Sequence, residues 1–146
     1  MFRILLTVLF AFACNLNLIA QTPRTALNSG REIFFTSYYS AGGTYSFEKD
    51  DYEEDFEDFT VTKIILKKDR LYSKFGDGEI KMVWLVFDDT REWSCTQCWR
   101  LENSTSLCYN YCEDSLAWYF EYSIEHRRWM KVMLFTKLDT VVRESD

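Results

Sequence analysis

Four cysteines, Cys95, Cys98, Cys108 and Cys112, lie within 18 residues of a 146-residue chain, and their spacing admits three chemistries. The first is a pair of disulfides, the ordinary fate of an even cysteine count in an oxidising compartment. The second is a tetrahedral zinc site built from four thiolates. The third is a redox pair at Cys95-Thr96-Gln97-Cys98, which needs a helix N-terminus to lower a thiol pKa. The spacing favours the first. The second cysteine pair is Cys-x3-Cys, with too few residues between the pairs for a zinc ribbon, and the flanks Trp93 and Trp99 belong to a β-rich stretch. Facing residues of an antiparallel hairpin have a constant sum of positions. Cys95 and Cys112 sum to 207 and Cys98 and Cys108 to 206, so a nested ladder with one residue of slip at a bulge is the favoured pairing, the other two staying open.

That ladder centres a hairpin tip between Asn103 and Ser104. Asn103-Ser104-Thr105 is an N-glycosylation sequon, and a hairpin tip exposes its acceptor asparagine.

Acid–base chemistry has less to work with. His126, the single histidine, lies among Glu125, Arg127 and Arg128 in a turn-like stretch, so serine or cysteine catalysis through a histidine would depend on this one residue. Seven of the nine residues from Asp50 to Asp58 are acidic. Glycoside hydrolysis needs two rigidly opposed carboxyls, one with a raised pKa, and a solvated run does not supply them. The run also lacks the glycine and alternating ligands of an EF-hand, so it reads as a solubilising loop, with calcium as its functional alternative. No cofactor is implied. Trp84, Trp93 and Trp99 are the candidate ligand-contacting aromatics, the last two expected at the surface because they flank the first cysteine pair.

The elements that position these groups read as β. Ile33–Tyr39 and Thr44–Phe47 are strand-like around a turn at Ala41-Gly42-Gly43, and Phe59–Lys68 and Leu71–Phe75 follow. Ile80, Met82, Trp84 and Val86 then alternate with Lys81, Val83, Leu85 and Phe87, the pattern of a strand covered on both faces. Leu116–Tyr122 and Trp129–Lys137 form a closing hairpin, where helical spacing of Trp129, Met130, Met133 and Leu134 competes with a strand-forming composition. The fold class is therefore mainly β: one antiparallel barrel or sandwich of seven or eight strands with a Cys-rich hairpin. In outline this is similar to a calycin-like, lipocalin-like barrel. The tryptophan that soon follows a glycine in the lipocalin opening is missing from Gly30-Arg31-Glu32, and no family is assigned.

Arg3 followed by the apolar run Ile4–Phe12 is the layout of a secretory signal over residues 1–20, with Ala20 before a cut at Gln21. Ala11-Phe12-Ala13-Cys14 loosely matches a bacterial lipobox and offers the alternative of a lipid anchor at Cys14. No apolar run reaches the ~20 residues of a membrane-spanning helix. Residues 21–30 read as a flexible leader and 31–146 as a single β-rich domain. Losing Arg3 takes the formal charge from −6 to −7, which disfavours nucleic acid as a partner, while the aromatic content calls for a folded core. The expected function is non-enzymatic binding, outside the cytoplasm, of a small apolar molecule, a glycan or a protein. The alternatives are a hydrolase working through acidic residues and a structural envelope lipoprotein.

Overall fold

The computed structural model describes residues 22–146, and their side chains except those of 87–93. The signal segment, Cys14 and the cut at Gln21 therefore lie outside the described residues. A short helix, α1 (Pro23–Asn28), is followed by nine strands: β1 (Arg31–Ser46), β2 (Asp51–Asp58), β3 (Thr62–Leu66), β4 (Arg70–Phe75), β5 (Lys81–Trp93), β6 (Thr96–Leu101), β7 (Ser106–Asn110), β8 (Ser115–Ser123) and β9 (Arg128–Glu144). Neighbours pair antiparallel in the order β2-β1-β3-β4-β5-β6-β7-β8-β9, and β1 also pairs with β9, closing a barrel. Along its other edge β1 pairs with β3 over Ile33–Ser37 and with β2 over Ser40–Ser46. β2 and β3 thus share one place in the ring, which is eight strands around.

Helix α1 corrects the expected leader. Thr22 caps it, its Oγ1 accepting from the Thr25 amide at 3.3 Å, and Pro23 fits the first turn, where no amide donor is needed. Ala26 and Leu27 are buried, and Leu27 joins the barrel core, so apolar burial fixes a segment too short to be helical alone. The helix stands against the start of β1 and marks one end of the barrel.

Two glycines expected in a turn lie inside β1 instead. Phe56, directly opposite Gly42, lays its ring where a Cβ on Gly42 would project, and a Cβ on Gly43 would come within 3.0 Å of the Glu53 carbonyl oxygen. These glycines serve close approach rather than chain reversal. The acidic run is likewise a strand, not a loop. β2 is the outermost strand of the order, paired on one side only, and its carboxylates stand in solvent. Charge on an open edge is compatible with a strand and discourages pairing with another chain.

Directly paired residues share a face, which sorts the interior from the exterior. Ile33, Leu66 and Leu71 form one inward row and Phe35 and Ile64 the next, joined by Leu85, Trp99, Leu101, Leu107, Tyr109, Leu116 and Phe135 in one buried core. β5 is covered on one face only. Ile80, just before it, is 68% exposed, and Met82, Trp84 and Val86 point outward with exposures down to 38% at Val86.

Candidate ligand-binding end of the barrel

At the end away from α1 the inward face changes from aliphatic to aromatic. One row runs from Phe56 through Gly42 and Met133 to Trp118, then to Leu107 and Trp99, each residue paired with the next. Phe75 reaches across the lumen, its ring centroid 6.3 Å from both Trp118 and Phe135. Phe120 stacks on Trp118 at 5.7 Å and 15°. The Trp118 indole donates to Thr105 Oγ1 at 2.9 Å, which fixes the ring against the β6–β7 turn. Phe75 is 40% exposed and Phe56 49%, so these inward rings meet solvent where the aliphatic rows do not.

The rim above these rings is polar. Thr44 Oγ1 donates to Asp55 at 2.6 Å, and Lys131, paired with Phe120, forms a 2.7 Å ion pair with Glu121. Its hydrogen bond to that carboxylate raises the Lys131 pKa. Deeper on the inner face, Gln97 is fully buried opposite Tyr109, and neither its amide nitrogen nor its amide oxygen has a hydrogen-bond partner. An interior amide left so costs about 1–3 kcal/mol.

Of the three tryptophans expected at a site, Trp84 and Trp99 lie on opposite faces of the barrel wall. Trp84 is on the outside of β5 with the Arg70 guanidinium 4.5 Å over its ring. Trp99, expected at the surface, is 2% exposed inside the barrel, because its place opposite Leu107 turns it inward. The Trp93 side chain lies outside the described residues. Nothing in the sequence singles out Trp118, Phe120 and Phe75 as a group, although Leu116, Trp118 and Phe120 alternate as residues of one strand face do.

The cysteines pair as Cys95–Cys112 and Cys98–Cys108. The β6–β7 ladder is regular from Thr96 opposite Asn110 to Arg100 opposite Ser106, with Cys98 and Cys108 face to face on the outer side. The one-residue slip of the outer pair arises beyond the ladder, at the left-handed Ser94 and Cys95, rather than at a bulge within it. With all four sulfurs bonded, no thiolate among them is left for zinc or for redox exchange. Asn103 is exposed in the β6–β7 turn. His126 is exposed in the β8–β9 turn, its ring centroid 4.5 Å from that of Phe47 and its Nε2 3.9 Å from the Glu125 carboxylate.

Near α1 a cleft of about 300 Å³ is lined by residues including Glu32, Lys67, Asp69 and Arg70, which puts two carboxylates on a concave surface. Lys67 bonds Glu32 and lowers its pKa against the effect of burial. Arg70 does the same to Asp69 at 2.9 Å. Both acids are thereby held ionised, the opposite of what a general acid requires. No family model matches the chain, and no curated protein or solved structure is detectably similar to it.

Proposed function

We propose that the protein is an exported, non-enzymatic binding domain that takes the apolar part of a small molecule at the aromatic end of its barrel. The observation that carries this reading is the contrast within one lumen between aliphatic rows shut from water and the rings of Phe75 and Phe56, which face inward and stay exposed. An eight-strand ring is the size at which an interior is either filled by side chains or admits one small ligand, as in lipocalins. Here the half next to α1 is filled. The far half offers stacked rings and a polar rim, the usual composition of small-molecule sites.

Export is supported by the N-terminal signal pattern and by two disulfides. Among the described residues no helix is long and apolar enough to cross a membrane. The hydrolase alternative loses ground because the two carboxylates in the cleft are ion-paired, and the acids of β2 lie along an exposed edge. A protein partner remains the second reading, supported by the outward stripe of β5.

The test is a titration with Prodan, a neutral apolar dye, followed by its emission. Burying ~100 Å² of apolar surface is worth roughly 2.5 kcal/mol, so losing one wall should weaken binding at least tenfold. Saturable one-to-one binding weakened that much by Phe75→Asp, at unchanged fold by circular dichroism, is the expected outcome. Binding that Phe75→Asp leaves intact would overturn the assignment of the site.

A further inference from the structure

The outward stripe of β5 and the sequon at Asn103 are neighbours. The turn carrying Asn103 docks on β5 through the residue before it: the Glu102 amide donates to the Trp84 carbonyl at 3.0 Å, and the Trp84 amide donates to Glu102 Oε1 at 3.2 Å. Val86 faces Arg100 across the same ladder. Asn103 therefore stands beside Trp84, within a covalent substituent's reach of Met82, Trp84 and Val86. A row of exposed apolar side chains on the outside of a barrel is a liability for a soluble protein unless something covers it.

The turn has the geometry of an acceptor site. Asn103 is exposed, and its Oδ1 accepts from Thr105 Oγ1 at 2.7 Å and from the Thr105 amide at 3.2 Å. Ser104 takes the left-handed conformation, with φ 64°, that lets the chain reverse. Trp118 on one side and the Cys98–Cys108 bridge on the other hold the turn in place. One face of the Trp84 ring is taken by Arg70, and Glu102, next to Asn103, bonds the Trp84 backbone.

We infer that Asn103 carries an N-linked glycan, and that this glycan lies over the outward apolar stripe Met82, Trp84 and Val86 and keeps the protein monomeric. The inference rests on export through a glycosylating secretory pathway. Aromatic faces such as Trp84 are suitable platforms for the apolar faces of sugars.

The full chain translated with rough microsomes tests both layers. Translocated, protease-protected protein should run one glycan heavier than the same product treated with peptide-N-glycosidase. Asn103→Asp, which keeps the oxygen that accepts from Thr105, should abolish the shift. A chain that is not translocated overturns export and this inference together, whereas a translocated but unshifted chain overturns this inference alone. The covering role is read by light scattering on protein secreted from cultured animal cells. Asn103→Asp should become at least partly dimeric or larger at concentrations where the wild type is monomeric, and adding Met82→Lys should restore the monomer. An Asn103→Asp protein as monomeric as the wild type would overturn the covering role.

Discussion

The two ends of this barrel are built from the same eight staves and differ in what stands inside them. Next to α1 the inward residues are Ile33, Leu66, Leu71 and Phe35, with Leu27 of the helix among them, and all are shut from water. At the far end they are Phe75, Trp118, Phe120, Met133 and Phe56, of which Phe75 and Phe56 stand partly open beneath a polar rim. The first end shows how the sequence makes a stable core. The second shows where it stops short of one, and it is this shortfall that points to a guest.

The contrast predicts unequal costs for the same truncation. Phe35→Ala, which removes a buried ring packed edge-on against Tyr109 at 4.8 Å, should destabilise the protein by about 3–5 kcal/mol in urea unfolding. Phe75→Ala should cost roughly 1–2 kcal/mol, because part of that ring is already in water. Equal losses at the two sites would erase the distinction between the ends.

Leu27→Ala should cost about 2–4 kcal/mol and expose the helix end, and Thr22→Ala about 1 kcal/mol through the lost cap. Both are measurable by the same unfolding curves. A protein indifferent to Leu27→Ala would mean that α1 does not seal the barrel.

The charges divide the ends as well. At the helix end, Lys67 and Ser145 bond Glu32 and lower its pKa below the usual 4.5. A carboxyl with a lowered folded pKa contributes stability above its unfolded value and loses it as the pH falls through the folded one. Stability should therefore drop below about pH 4.5, and Glu32→Gln should flatten that limb. Lys67 is raised by the same pair, so its share is present below its unfolded pKa and fades as the solution becomes strongly alkaline.

The smallest effect belongs to the outer wall of the open end. Tyr52 donates to the Trp129 carbonyl at 2.8 Å, and burial pushes its pKa up to about 12. Its contribution should be complete below pH ~10 and lost as the pH rises toward 12. Tyr52→Phe should remove one late-titrating tyrosine from the ultraviolet titration and about 1 kcal/mol of stability. Loss of a tyrosine that titrates near pH ~10 instead would place Tyr52 in solvent.

How much of this was legible in the residues depended on the range of the signal. The position sums of Cys95 with Cys112 and of Cys98 with Cys108 carried the disulfide ladder, because hairpin register is local and arithmetical. Mainly β character was equally plain. Closure into a ring was not, since β1 and β9 meet over a separation of 87 to 113 residues. Gly42 and Gly43 signal a turn in isolation, and only Phe56 lying over Gly42 explains them inside a strand. The acids of β2 are foreign to a central strand and suited to an edge, a distinction that composition does not carry. Tryptophans were legible as aromatic mass but not as inside or outside. Trp84 stands outside and Trp99 inside, the reverse of what the residues beside them implied.

The central claim is that the aromatic end of the lumen receives the apolar ligand, and methionine methyl resonances test it most directly. Met133 faces inward beside Trp118, while Met82 stands on the outer stripe. In protein labelled at the methionine methyls and titrated with Prodan, the account predicts a saturable shift at Met133 that tracks the dye's emission, with Met82 unmoved. A shift at Met82 with Met133 unchanged would place binding on the outer face and contradict it.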